Sequence, residues 1–359
     1  MEGSGGGGGG MAGGDRLSDL PDSLLHCILS RLGSRQVVQT CVLSRQWRHL
    51  WRAAWTIDLD DREFLSTAAP ADDTGDVVVA LYHHQQTQKK ENVSDRFEDL
   101  ADNLLFHRAA AASSSSASPP PPDTFRLCIG DQTTHARQTN QARWVRRGLL
   151  CSPAALDFRY RDGGSFVIDL AAAAPGCPRL TRMRLDNVIL EKSFMEQLDA
   201  LFPALEELHL NGCSFSSVVQ IASATVQHHA VDRCRKRFDV QHVVNIVAPR
   251  LATLRLAIPF CRSTNVPRHC GPTFTGYSLR GAPPPSLAGA SVHVADAGRY
   301  LDVRPLHGLI LDPKFVRNMA LLDSLRQLLL SLSGATFLEL SGLRSVVRHA
   351  VAPPAVSCH

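Results

Sequence analysis

The stretch that decides the fold is Leu205-Glu206-Glu207-Leu208-His209-Leu210, which continues through Asn211-Gly212-Cys213-Ser214-Phe215. Its leucines follow the spacing L-x-x-L-x-L, so that the last two alternate with other residues. In a β-strand, alternate side chains point to the same face. The stretch therefore predicts a strand whose leucines point into a core and whose chain turns out of the strand at Cys213.

The same spacing recurs in Leu180-Thr181-Arg182-Met183-Arg184-Leu185 and in Leu251-Ala252-Thr253-Leu254-Arg255-Leu256, and in part in Phe337-Leu338-Glu339-Leu340. It is similar to the strand pattern of leucine-rich repeats. One repeat cannot bury its inward leucines without neighbours. The copies predict an α/β fold over 123–350, a leucine-rich-repeat solenoid in which a curved parallel sheet carries helices or loops on its convex side.

The spacing between copies is irregular. Leu180, Leu205, Leu251 and Leu287 lie 25, then 46, then 36 residues apart. The middle interval has room for two short repeats. The stretch Ala224 to Val244 within it is either a degraded copy or a helical insertion, and the pattern leaves both open.

A different pattern occupies the N-terminal region. Pro21 suits the first turn of a helix, and apolar residues then recur three and four positions apart, which lines them along one helical face; they are Leu20, Leu24, Leu25, Ile28, Leu29 and Leu32. Ser34 and Ser44 can cap a second and a third helix, and large aromatics such as Trp47 are expected in the core. We therefore expect three short helices within 15–60, with surplus apolar surface left for a partner.

Two segments of this region, Leu20 to Leu32 and Val42-Leu43-Ser44-Arg45-Gln46-Trp47-Arg48-His49-Leu50-Trp51, together resemble the F-box of plant proteins. Gly33 stands where relatives often carry proline. The prolines that precede the strands, as in Phe202-Pro203-Ala204-Leu205, also resemble plant F-box proteins with leucine-rich repeats. The resemblance implies the substrate-recognition subunit of a Skp, cullin, F-box (SCF) ubiquitin ligase, which binds a Skp-type adaptor, through it a cullin, and a target protein.

Two sets of site residues follow. For the adaptor we expect the apolar residues Leu20, Pro21, Leu24, Leu25, Ile28 and Leu29. For the target we expect the residues that alternate with the inward leucines, namely Arg182, Arg184, Glu207, His209, Thr253 and Arg255. The alternative for the second set is that these polar side chains only keep the sheet soluble.

The remaining segments are expected to be peripheral. Residues 1–14 are a Gly-rich tail expected to be disordered, 351–359 form a second tail, and 61–122 hold one amphipathic helix and a low-complexity insertion. Because its Ala, Ser and Pro residues supply no periodic apolar face, His107 to Pro122 is expected to be exposed and protease-sensitive. Cleavage there is expected to separate two stable parts.

Several other functions are disfavoured. The net charge of +4 gives no strong signal for nucleic acid, and the cations Arg233, Arg235, Lys236 and Arg237 are more typical of a solvated face. Ten cysteines without a Cys-x-x-Cys pair, and the adjacent His83-His84, favour neither a metal nor disulfides.

No catalytic motif is present, so we expect a chain that is not an enzyme and needs no cofactor. Without a signal peptide or a long apolar run it is expected in the cytoplasm or nucleus and not in a membrane. The remaining rival is a leucine-rich-repeat scaffold without a ligase role, from which only the F-box distinguishes it.

Overall fold

The computed structural model describes residues 20–65, 95–110, 120–130, 135–161, 167–168, 176–216, 218, 220–236, 241–260, 274–280, 284–296 and 323–342. Both expected tails, His83-His84, Arg237 and 111–119 of the low-complexity insertion lie outside these residues. In the part of the chain that is described, no helix is both long and apolar enough to cross a membrane.

The N-terminal region folds into short helices. These are α1 (Asp22–Leu29), α2 (Ser34–Gln39) and α3 (Trp47–Leu50), with one turn of 3₁₀ helix at Thr40–Val42 and another at Trp51–Ala53. The three helices expected from the sequence are confirmed. Their small core consists of Leu25, Leu29, Val37, Trp47, Leu50 and Ala54.

The main element of the fold is a nine-stranded sheet in which every neighbouring pair is parallel. Its order is β1 (Thr56–Asp60), β2 (Thr124–Ile129), β3 (Ala155–Tyr160), β5 (Arg182–Asp186), β7 (Glu207–Asn211), β10 (His228–Asp232), β13 (Thr253–Phe260), β15 (Gly289–Asp296) and β16 (Phe337–Ser341). The strands expected around residues 182, 207, 253 and 337 are therefore confirmed.

Strand β10 explains the irregular interval between Leu205 and Leu251. It pairs with β7 on one side and β13 on the other. Its residues His229 and Val231, and Val226 just before it, are buried at the positions that leucines hold in neighbouring copies. The interval of 46 residues thus holds an additional strand of the large sheet, and the helical alternative for this segment is wrong. This strand escapes a search for leucines because one inward residue is a histidine.

The chain turns out of these strands as the best copy predicts. Asn187, Gly212 and Arg233, one residue beyond β5, β7 and β10, all have positive φ between 52° and 61°. The following Cys213 is buried, and its thiol donates to the carbonyl oxygen of Leu185 in the neighbouring strand at 3.2 Å. The cysteine therefore serves structure, by satisfying a buried carbonyl group.

The other side of the core is formed by strands as well as helices. One small sheet contains β4 (Val167–Ile168), β6 (Ile189–Leu190), β8 (Ser214–Phe215) and β11 (Arg235–Lys236), and another contains β9 (Gln220–Ala222), β12 (Gln241–Val247) and β14 (Phe274–Leu279). The helices are α4 (Arg62–Leu65), α5 (95–110), α6 (His135–Leu150), α7 (Lys192–Glu196), α8 (Leu198–Leu201) and α9 (323–331). Helices and loops alone, as the sequence suggested, do not describe this layer.

Helix α5 belongs to the same core as the sheet. Its Phe97, Leu104 and Leu105 are buried in one cluster with Trp144 of α6 and the inward residues of the large sheet. The carboxylate of Asp102 accepts hydrogen bonds from Arg143, Trp144 and Arg147 at 2.5, 2.9 and 3.0 Å. The two sides of the insertion therefore share a core, which argues against the expectation that cleavage after α5 would separate two stable parts.

The ends of the insertion are also more ordered than expected. Helix α5 continues to residue 110, and its Arg108 is 2% exposed and donates to the carbonyl oxygen of Ala54 at 3.0 Å. Pro122 is buried as well. Of the segment His107 to Pro122, only 111–119 stay outside the described structure.

Candidate partner-binding surfaces

The N-terminal helical unit carries two apolar stripes on one helix. Residues four apart lie above one another on a helix, so Leu25 stacks with Leu29 and Leu24 stacks with Ile28. The first pair is 0% and 1% exposed, and the second pair is 50% and 39% exposed. One stripe therefore forms the core of the unit, and the other faces solvent.

This division revises the expected adaptor surface. Leu25 and Leu29, expected in that surface, pack against the unit's own Trp47 and Leu50 and cannot present their side chains to a partner in this conformation. Leu20 is half-buried against the same core, whereas Pro21 is exposed. The sequence could not separate the two stripes because both pairs satisfy the same four-residue spacing.

Two further apolar residues of this unit are exposed, and neither was expected in the adaptor surface. Val42 and Leu43, at the end of the first 3₁₀ turn, are 83% and 59% exposed. No clear signal of this exposure is present in the sequence, because adjacent apolar residues on a helix can both be buried, as Leu104 and Leu105 of α5 are. Pro21, Leu24 and Ile28 are exposed as well, and these five residues together are here called the apolar surface of the helical unit.

A side chain fixes the start of α1 against α3. The amide nitrogen of Gln46 donates to the backbone oxygen of Leu20 at 3.2 Å and to a carboxylate oxygen of Asp22 at 2.9 Å. These bonds place Pro21 and the exposed stripe relative to the third helix. The apolar surface is thus held by packing beneath it and by polar contacts at its edge.

The second candidate surface is the outer face of the large sheet. Its residues follow the strand registers in rows, one running Arg182, Glu207, His228, Thr253 and the next Arg184, His209, Ala230, Arg255. All six residues expected to face outward lie in these two rows. Arg182, Arg184, Thr253 and Arg255 are exposed, and Glu207 and His209 are half-buried.

Ion pairs run across this face on its first strands. Each pair joins side chains of the same or adjacent strands: Arg126 with Asp58 (3.0 Å) and Asp157 (3.3 Å), Arg159 with Asp157 (2.9 Å) and Asp186 (3.5 Å), and Arg184 with Asp186 (3.2 Å). The acids of β1, β3 and β5 in this network are thereby compensated.

The arginines of this face differ in whether they form an ion pair. Arg184 is held by Asp186, whereas Arg182 and Arg255 have no ion pair among the described residues. Burial, and then the nearby Arg184 and Arg255, lower the pKa of His209 despite the opposing effect of Glu207. The middle of the face therefore has two exposed arginines without ion pairs among the described residues, near a histidine whose pKa is lowered.

The remaining cations do not add to this face. Arg233 follows β10 and donates to the side-chain oxygen of Asn211 at 2.8 Å, while Arg235 and Lys236 form β11 in the small sheet. Within the described residues no group of three or more histidine, cysteine or acidic side chains is placed to hold a metal ion.

Comparison with known proteins decides the identity of the helical unit. The F-box domain family matches residues 17–55, which include α1 to α3 and the apolar surface. The chain contains an F-box domain. The resemblance found in the sequence is thereby confirmed.

Its relatives are plant F-box proteins. The chain is 32% identical over 287 residues to the meiotic F-box protein MOF of Oryza sativa subsp. japonica, covering 79% of this chain and 52% of that one. It is 28% identical over 248 residues to an F-box/FBD/LRR-repeat protein of Arabidopsis thaliana, covering 67% and 49%. The F-box protein described here thus spans about half the length of these relatives. No solved structure matches the chain.

Proposed function

We propose that this F-box protein is the substrate-recognition subunit of an SCF ubiquitin ligase. Its F-box binds a Skp-type adaptor and, through that adaptor, a cullin, while the large sheet holds a target protein. The chemistry of ubiquitin transfer belongs to a recruited enzyme, so the chain itself is non-catalytic.

The observation that carries this proposal is the exposed apolar surface of the F-box. Leu24, Ile28, Val42 and Leu43 belong to a unit of about forty residues, which is close to the lower limit for burying its own core. Large apolar side chains that stay exposed on so small a unit favour an interaction site. An apolar surface on an F-box suits a Skp-type adaptor.

Charged residues within that surface should abolish adaptor binding. Leu24→Asp with Ile28→Asp places unpaired charge in an apolar interface, where each key contact is worth about 2 kcal/mol or more. We expect the affinity to fall by at least about 30-fold, as measured by pulldown and titration with a purified Skp-type adaptor. Leu25 and Leu29 are left intact, so that the F-box core is kept.

The control for this experiment is Leu330→Asp, which changes a still more exposed leucine on α9. It should leave adaptor binding unchanged, and circular dichroism should show that both proteins are folded. Normal adaptor binding by the folded Leu24, Ile28 variant would exclude this surface and favour the leucine-rich-repeat scaffold without a ligase role.

We further propose that 123–342 form a leucine-rich-repeat solenoid with the outer face of the large sheet on its concave side. The proposal is supported by the all-parallel sheet, by the repeated burial of alternate residues in strands such as β7 and β10, and by relatives named for such repeats. Curved parallel sheets of this kind hold partners on their concave side.

The proposed target site is the pair of sheet rows that contain Arg182, Glu207, His209, Thr253 and Arg255, together with Arg184. Reversing Arg184 would also disturb its ion pair with the nearly buried Asp186, so the better test is Arg182→Glu with Arg255→Glu. The double variant should lose ubiquitination of targets in a reconstituted ligase while it still binds the adaptor.

A matched variant, Arg250→Glu with Arg326→Glu, makes the same change of charge at exposed arginines outside the sheet face. It should behave as the wild type. If both double variants ubiquitinate the same targets equally well, the arginines serve only solubility, and the target site lies elsewhere.

A further inference from the structure

An aromatic and cationic cluster lies where the F-box meets α5 and α6. The ring of His107 contacts Trp51 edge-on at 6.2 Å between centroids and Phe106 edge-on at 5.7 Å. The guanidinium of Arg52 lies 5.5 Å from the Trp51 ring centroid, and that of Arg147 lies 5.8 Å from the Phe106 ring centroid. These five side chains form one connected group, here called the junction cluster.

The junction cluster is open to solvent. Phe106 is 55% exposed, Arg52 and His107 are exposed, and Trp51 is half-buried between the core of the F-box and the core of the sheet. Leu150, at the end of the same helix as Arg147, is exposed as well. The fold therefore supports the base of this cluster and leaves its rings and cations accessible.

The charged side chains of the junction cluster are both positive. Among the described residues, the carboxylate of Asp102 contacts the cluster. It accepts hydrogen bonds from Arg147 and also from Arg143 and Trp144. Arg52 has no acidic partner in the described part of the chain. The exposed side of the cluster is thus cationic, with aromatic rings between the cations.

From these observations we propose that the junction cluster is a docking site for an acidic protein segment that carries an apolar anchor residue. Aromatic residues and arginine are the residues that contribute most to protein interfaces. An aromatic or aliphatic anchor would cover Phe106 and Trp51, and flanking carboxylates would pair with Arg52. The site is separate from the apolar surface that Leu24 and Ile28 form, and it does not depend on the ligase role.

A protein segment fits better than a nucleic acid. The cluster offers two cations beside its rings, one of them already bonded to Asp102, and the whole chain has a net charge of only +4. Nucleic-acid surfaces usually show a basic stripe that follows a phosphate backbone. A short acidic segment requires no such stripe.

The test uses three labelled peptides, each with a central phenylalanine flanked by glutamates, glutamines or lysines. Binding to the full chain is measured by fluorescence anisotropy at low ionic strength, because salt weakens exposed charge pairs. We expect the glutamate peptide to bind at least about tenfold more tightly than the lysine peptide. The variant Phe106→Asp with Arg52→Glu should abolish this preference.

The control variant, Leu330→Asp with Arg48→Glu, introduces the same residues at exposed positions outside the cluster. It should keep the wild-type preference, and thermal unfolding should show that both variants are folded. Equal binding of the three peptides, or an equal loss in both variants, would overturn the proposal. Tighter binding of a thymidine oligonucleotide, lost in the Phe106, Arg52 variant, would also overturn it, by identifying a nucleic-acid site.

Discussion

A buried histidine should make the stability of this protein depend on pH. His229 of β10 lies in register between Leu208 and Leu254 and is 3% exposed. Its Nδ1 donates to the backbone oxygen of Leu208 at 2.9 Å, while Nε2 has no hydrogen-bond partner among the residues that the structure describes. A cavity of about 10 Å³, lined also by Val226 and Ile246, adjoins the ring. The ring is therefore held neutral among apolar side chains.

Burial lowers the pKa of His229 to about 4, and the nearby His209 acts in the same direction. In the unfolded chain its pKa is about 6.5. Between these values the unfolded state binds more protons, so the free energy of unfolding falls as the pH falls. Between pH 7 and pH 5 this linkage amounts to about 2 kcal/mol.

Replacing His229 by leucine, the residue at the matching position in β7 and β13, should remove this contribution. The informative quantity is the change in the free energy of unfolding between pH 7 and pH 5. The lost hydrogen bond to Leu208 and the gained apolar burial alter the stability equally at both pH values, so they do not affect this change. Other titrating groups remain in both proteins and cancel in the difference. We expect the variant to lose about 2 kcal/mol less than the wild type on acidification.

The assay is urea unfolding followed by circular dichroism at pH 7 and pH 5. A control, His228→Gln, changes the adjacent residue on the outer face of the same strand and should keep the wild-type pH dependence. If the His229→Leu protein and the wild type lose the same stability on acidification, the histidine is not held neutral by its surroundings.

Two further predictions concern α5. Asp102→Ala should lower the free energy of unfolding by about 2 to 4 kcal/mol, because it leaves the indole N–H of the buried Trp144 without a partner and removes two ion pairs. Urea unfolding should show this loss. The control Asp99→Ala, at an exposed site on the same helix, should change the stability little. A protease site engineered into 111–119 should yield two fragments that still co-elute on size exclusion, because Phe97 packs against Trp144 across the cut; fragments that separate without denaturant would show that the shared core does not hold them.

The strands with leucine at their inward positions were predictable from the sequence. Strand β10 was not, because His229 breaks the apolar pattern while its backbone still pairs on both sides. Strand β1 was also missed, since only Ile57 and Leu59 alternate with aspartates, and two apolar residues make too short a pattern to predict a strand. Here tertiary pairing, and not local preference, determines the structure.

The candidate sites were predictable to different degrees. Alternation along each strand was enough to place Arg182 and Arg255 on the outer face. The spacing of apolar residues could not show which of Leu24 and Leu25 is exposed, because a broad apolar face on a short helix has an inner half and an outer half. The junction cluster lay beyond sequence reasoning altogether, since Trp51, Phe106 and Arg147 come together only through the packing of three separate helical segments.

The F-box passes into the large sheet without a linker, since the turn at Trp51–Ala53 is followed almost at once by β1. The backbone N–H of Asp58 in that strand donates to the hydroxyl of Ser34 in α2 at 2.8 Å. Parallel strands are spaced about 4.8 Å apart, so the distance from β1 to β16, measured along the nine-stranded sheet, is roughly 38 Å. The position of a strand in the sheet thus sets its distance from the F-box along the sheet. In a ligase complex, the gain or loss of one repeat would move everything beyond it by one such step, and so change which lysines of a bound protein come within reach.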